Sequence, residues 1–176
     1  MKKKFLFVLV VLFLASIAQI HAFGVGAQAN FYIRDTNLPG FSVLISPGDK
    51  FHIAANWYRD SDKKNNIGLT ADFVPLNLQL VPFRQKDSPL GLVFNLGVGI
   101  FANIVLKDKN IEEDKTGFKG GIRAPVGFSF FFAKRKVEIF SHVAPSYGVR
   151  VVPGDTKPIK FHTFTLPIAL GARVWF

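Results

Sequence analysis

From Phe164 to Phe176 the chain alternates between two kinds of side chain without a break. Phe164, Leu166, Ile168, Leu170, Ala172, Val174 and Phe176 hold one set of positions, against Thr165, Pro167, Ala169, Gly171, Arg173 and Trp175 in the other. Period two belongs to a strand, whose successive side chains point to opposite faces, and not to a helix, which groups every third or fourth residue. One face of this strand needs apolar surroundings and the other does not.

The pattern repeats upstream. From Phe23 to Arg34, apolar Phe23, Val25, Ala27, Ala29, Phe31 and Ile33 alternate with Gly24, Gly26, Gln28, Asn30, Tyr32 and Arg34. Further runs cover Phe41 to Ser46, Phe51 to Tyr58, Ile67 to about Leu80, Leu90 to Leu106, Lys119 to Phe132 and Val137 to Gly148. With Phe161 to Phe176 this predicts eight strands, joined as an antiparallel meander. The connections differ by end. Ser46 to Lys50, Val81 to Pro89 and Ala133 to Lys136 form a set of turns, whereas Asp35 to Gly40, Arg59 to Asn66, Lys107 to Gly117 and Val149 to Lys160 are polar loops.

The N-terminus points to an exported protein. Lys2, Lys3 and Lys4 precede an apolar run from Phe5 to Ala15 and then small residues, the layout of a cleaved signal peptide and too short to span a bilayer comfortably. Cleavage after Ala22 is expected, with Ala18 as the other site, so that 1–22 is the signal and 23–176 one domain. With no cysteine, lipid attachment at an N-terminal thiol and disulfide staples are both excluded for this sequence. The formal charge falls from +10 to +7 without the three signal lysines, and the remaining basic residues are scattered, which argues against nucleic acid.

Alternation alone does not say which face points inward. A soluble lipocalin-like ligand carrier would turn its apolar face to the cavity. Composition decides against it: the polar face carries Gly24, Gly26, Gly68, Gly91, Gly97, Gly99, Gly121, Gly127, Gly148 and Gly171, with Asn30, Asn56 and Asn95, where a water-exposed wall would carry Lys and Glu. That suits a crowded lumen, with lipid outside. The reading is therefore an all-β, eight-stranded antiparallel up-and-down transmembrane β-barrel of an outer membrane in a Gram-negative-type envelope, monomeric by default. Closure satisfies every strand edge, as hydrocarbon requires. Aromatics expected at the two membrane interfaces are Phe23, Phe51, Phe132 and Phe176 beside the turns, and Trp57, Tyr147 and Phe164 at the other end.

Gly121-Ile122-Arg123-Ala124-Pro125-Val126-Gly127, Val137-Glu138-Ile139-Phe140 with Ala144-Pro145, and the terminal Arg173-Val174-Trp175-Phe176 together resemble an uncharacterised bacterial family of small outer-membrane β-barrel proteins, similar in architecture to the OmpA transmembrane domain and OmpX. The resemblance implies a fold and a location, not an activity. Ser141-His142 stands where the family pattern has an acidic residue, so a role needing a second carboxylate on that strand finds none.

Candidate chemistry lies on the inward face: Arg34, Asp72, Arg123, Glu138 and Arg173, with His52 and His142 in register. An eight-stranded interior is just wide enough for side chains to fill, so these charges are expected to pair and close the lumen. Arg123 with Glu138 is the first expected pair, and Arg173 an equally good partner for Glu138. No catalytic, cofactor-binding or metal residue emerges. Ser141 and His142 point to opposite faces, and His142 and Ser146 stand roughly 13 Å apart along the strand. Leu96 to Ala102 mimics a dinucleotide fingerprint but lacks the helix that must follow. Expected partners are outer-membrane lipid, the barrel assembly machinery through the strand ending in Phe176, and an external protein or small molecule at the loops. A surface scaffold or adhesin is thus the first functional reading, and a narrow pore, with the glycines leaving room, the second.

Overall fold

The computed structural model describes residues 22–33, 40–59, 65–81, 90–106, 117–151 and 159–176, without the side chains of 159–163. The signal segment, Arg34, turn residues 82–89 and most of the four polar loops lie outside this set.

The described residues form ten antiparallel strands: β1 (Phe23–Ile33), β2 (Gly40–Pro47), β3 (Phe51–Arg59), β4 (Asn65–Val81), β5 (Gly91–Val105), β6 (Gly117–Arg123), β7 (Val126–Phe132), β8 (Val137–Val143), β9 (Ser146–Val151) and β10 (Ile159–Trp175). β1 pairs with both β2 and β10, so the sheet closes. β6 and β7 lie end to end along β5, and β8 and β9 end to end along β10. The ten segments therefore occupy eight positions around one barrel, and the sixth and seventh expected strands are each broken once, at Ala124-Pro125 and Ala144-Pro145.

Register fixes the tilt. One row of partners runs from Val174 through Val25, Ile45, Ile53, Ala71, Ile100, Ile122 and Tyr147 to Phe164, ten residues before its start in the same strand. With usual rise and strand spacing, that stagger over eight positions inclines the strands by about 40° to the axis.

The breaks follow from proline chemistry. Gly97 N donates to Pro125 O at 2.8 Å, Ala124 N to Pro145 O at 3.0 Å and Ala144 N to Pro167 O at 2.9 Å. In an antiparallel bonded pair the partner returns a bond, but proline has no N–H to return. Three neighbouring strand positions thus carry half-made pairs in two adjacent rows. At one of them a side chain fills in, since Ser146 Oγ donates to Ala144 O at 2.7 Å. Register is unchanged across these breaks, so inward and outward faces continue through them. In β4, beside Pro75, the ladder with β5 instead slips by one residue between Phe73 and Leu76.

Both chain ends of the barrel, Phe23 and Phe176, lie at the turn end. Phe23 and Phe176 exchange backbone bonds of 3.2 and 2.8 Å, and Trp175 N donates to Lys136 O. The β7–β8 turn is tight enough to hold Ala133, Lys134 and Arg135 at φ of 48°, 59° and 69°, the left-handed region that is unfavourable for residues with a Cβ.

The outer wall is apolar: Ile122, Val43 and Ile100 are each more than 60% exposed, whereas Glu138, Arg173 and Ser129 inside are under 5%. This distribution is the reverse of a soluble carrier's. Among the interface aromatics, Phe23, Phe51, Trp57, Tyr147, Phe164 and Phe176 are exposed on the outer wall, and Phe132 is partly covered. Phe51 meets Phe73 at 4.9 Å between ring centroids, and Phe41 stacks with Trp57 at 6.5 Å.

Candidate functional site

Two kinds of polar layer fill the barrel. Toward the loop end the wall of β1 to β3 is lined by neutral groups, and buried Lys119 on β6, register partner of Arg150 on β9, brings charge to the same layer from the other side. Gln28 Nε2 donates to Asn30 Oδ1 at 2.6 Å, Asn30 Nδ2 to Ser42 Oγ at 2.5 Å, and Ser42 Oγ to Asn56 Oδ1 at 2.7 Å. This chain crosses β1, β2 and β3 because all four residues occupy inward positions in register, Ser42 opposite both Gln28 and Asn56. Tyr32 and buried Tyr58 stack above it, their centroids 4.3 Å apart.

Below it lies a charged belt. Arg173 Nη1 is 3.4 Å from Glu138 Oε2, and Arg123 Nε is 3.1 Å from Asp72 Oδ1. Glu138 also accepts from Ser129 Oγ at 2.6 Å and from Trp175 Nε1 at 2.8 Å, and Ser129 accepts from Asn95 Nδ2 at 2.7 Å. The Arg123–Asp72 atoms are close but poorly aligned for a hydrogen bond, so Coulomb attraction carries that contact. Arg173 lies over the rings of Phe140 and Trp175 at 4.9 and 5.2 Å.

The histidines complete the belt. Arg173 Nη1 reaches His52 Nδ1 at 3.1 Å, and Arg123 Nη2 reaches His142 Nε2 at 3.3 Å. A guanidinium has only donors, so both imidazole nitrogens accept, and each ring holds its proton on the other nitrogen. Ser46 Oγ stands 2.9 Å from His52 Nδ1. The structure thus brings together six of the seven charged or titratable lumen residues named from the sequence; Arg34 lies outside the described residues.

The pairing differs from the one expected first. Glu138 and Arg173 are direct register partners on β8 and β10, and they pair. Arg123 instead faces Gly99 on β5, which in turn faces Asp72 on β4. Arg123 and Asp72 therefore meet across an intervening strand because Gly99 has no side chain; a Cβ there would collide with the Asp72 carboxylate. Gly24 likewise seats Arg173, whose Cδ lies 2.7 Å from where a Cβ would stand. These two glycines thus hold neighbouring side chains and leave little room. The voids on either side of Arg123 are only about 40 and 30 Å³, and Arg123 and Thr70 line both. Each is large enough for a few waters at most.

Other sequence candidates are also placed. Ser141 is exposed on the outer wall and His142 points inward, on opposite sides. Ser146 is committed to the Ala144 carbonyl. Among the described residues, no three His, Asp or Glu side chains form a group that could hold a metal ion. The neutral Gln28–Asn30–Ser42–Asn56 chain was not foreseen as a network. Its signal was the run of small polar residues at inward positions of three successive strands.

A closed antiparallel barrel, apolar outside and polar inside, is the fold of an integral outer-membrane β-barrel protein. Among solved structures the chain is similar to the N-terminal β-barrel domain of Pseudomonas aeruginosa OprF, with 13% identity, a TM-score of 0.58, and coverage of 88% of this chain and 97% of that one. Neisserial surface protein A (16% identity, TM-score 0.48) and a major outer membrane protein from Thermus thermophilus (13%, 0.47) each align over 88% of this chain and 99% of their own. No family model and no curated protein matches the sequence. The architecture is thus that of a small outer-membrane β-barrel, as the sequence motifs suggested.

Proposed function

We propose that this protein is a closed, non-conducting scaffold of the outer membrane that acts through its short loops, as a surface binding or adhesion protein, and not by transport or catalysis. The observation that carries this reading is the charged belt: four buried ionic side chains and two histidines span the lumen, and the voids beside Arg123 are about 40 and 30 Å³. A pore reading drew on the inward glycines, whose space is taken by side chains at Gly24, Gly68, Gly99 and Gly171 and by neighbouring backbone at Gly26, Gly121 and Gly148. What remains available to a partner is the lipid-facing wall and the two ends. Because the termini and turns share one end, the turns face the periplasm in this reading and the polar loops face outward. The terminal strand β10, which closes the barrel against β1, is the natural segment for the assembly machinery to engage.

The test is planar-bilayer recording of the refolded mature chain, paired with attachment assays on cells. The expected outcome is no discrete conductance, together with loss of attachment on deleting 107–116 or 152–158, which lie between the paired strands, from a barrel that still shifts on an unboiled SDS gel. Stepwise ion conductance by the wild-type chain would refute the closed-scaffold reading.

A further inference from the structure

Among the described residues, the turn end of the barrel is open where the loop side of the lumen is filled. Below the belt lies a cup of about 880 Å³, within the size range of small-molecule sites. Its floor is the Arg173–Glu138 pair, so the cup is blind. We propose that it is a binding site for a small neutral sugar, of about disaccharide size.

The lining points to that chemistry. Asn77 on β4 and Asn95 on β5 are register partners facing the cup, Gln79 lies two residues further toward the rim, and Asn95 is held in place by its bond to buried Ser129. Amides both donate and accept, as sugar hydroxyls do, and the charged side chains that also line the cup, Asp49, Lys50 and Arg135, are of mixed sign. β4 and β10 stand four positions apart in a ring of eight, so Trp175 faces this amide wall across the cup. Its indole N–H is held by Glu138 Oε2 at 2.8 Å and the Arg173 guanidinium lies over the ring at 5.2 Å, which fixes the indole and leaves one face for the C–H face of a pyranose. Phe131 on β7 adds a second ring to the lining, with the Arg135 guanidinium 5.5 Å from its centroid. The ionic groups of the floor already engage one another, so a neutral ligand leaves no buried charge uncompensated.

The slip in β4 beside Pro75 contributes to the site. Up to Val74 the inward residues of β4 are buried, whereas Asn77 and Gln79, after the slip, are exposed. The amides therefore stand free at the wall and are not packed into the lumen. The inference depends on the closed floor and not on what the outer loops bind.

The protein has two tryptophans, so Trp57→Phe leaves Trp175 as the sole emitter. The refolded mature W57F chain in detergent is titrated with maltose, cellobiose and N,N′-diacetylchitobiose, with saturation-transfer NMR on the same samples as a readout independent of the indole. The expected result is saturable binding of at least one disaccharide, weakened tenfold or more by combined Asn77→Ala and Gln79→Ala while the unboiled gel shift is unchanged. No binding by either readout, binding that survives the double substitution, or saturable binding of inorganic phosphate in place of sugar would each overturn the proposal.

Discussion

The wall of β1 to β3 and the wall of β6 to β9 solve the same problem differently. The first consists of unbroken strands, and its inward residues are tied by the neutral chain Gln28, Asn30, Ser42 and Asn56. The second is broken at Ala124-Pro125 and Ala144-Pro145 and supplies Arg123, Glu138 and His142 to the charged belt. Where prolines remove ladder bonds, ionic contacts reach across strands, Arg123 to Asp72 over Gly99 and Arg173 to Glu138 in register. The difference shows that a barrel wall can lose backbone bonds without losing register, provided side chains join the strands from inside.

The comparison can be broken most severely at the belt. Glu138→Gln removes a carboxylate that Arg173, Ser129 and Trp175 all contact and leaves a buried guanidinium without its counter-charge. The expected loss is about 3 to 5 kcal/mol in urea unfolding from lipid vesicles. Pairing it with Arg173→Met should recover a large part; a double variant no more stable than the single would show that the ion pair is not the source. Gly99→Val comes next, since its side chain would displace the Asp72 carboxylate from Arg123. Overpacking there is expected to cost about 1 to 3 kcal/mol, with partial loss of the unboiled gel shift.

On the neutral wall the effect should be smaller. Asn56→Ala removes one acceptor from a chain of uncharged bonds, and about 1 to 2 kcal/mol of destabilisation is expected in the same unfolding assay. If it matched Glu138→Gln, the distinction between the walls would fail. The smallest effect is at the breaks. Pro145→Ala supplies the N–H that Ala124 O lacks and should stabilise by about 0.5 to 1.5 kcal/mol, whereas Ser146→Ala strips the substitute donor from Ala144 O and should destabilise by a similar amount. A neutral Ser146→Ala would mean that the hydroxyl does not stand in for the missing proline N–H.

Much of this was legible along the chain, because strand periodicity writes the two faces directly into the residues. The outward set of β1, from Phe23 to Ile33, and the inward set of β10, from Thr165 to Trp175, are those read from alternation. The lumen residues Asp72, Arg123, Glu138 and Arg173 were identifiable as inward charges for the same reason. The breaks were less legible: Pro125 and Pro145 sit inside runs whose alternation continues through them, so only the absent N–H marks the interruption. The cup left even less trace, since the one-residue slip near Pro75 that presents Asn77 and Gln79 depends on how β5 aligns.

The sequence by itself determined the two faces of the regular strands, the all-β class and the apolar exterior, since these depend on local alternation and on the cost of polar groups in hydrocarbon. Only the tertiary structure decided which charges meet. Arg123 finds Asp72 and not Glu138 because a stagger of ten residues around the ring sets every cross-strand neighbour, and that sum over all the strand pairings appears in no single segment of the chain.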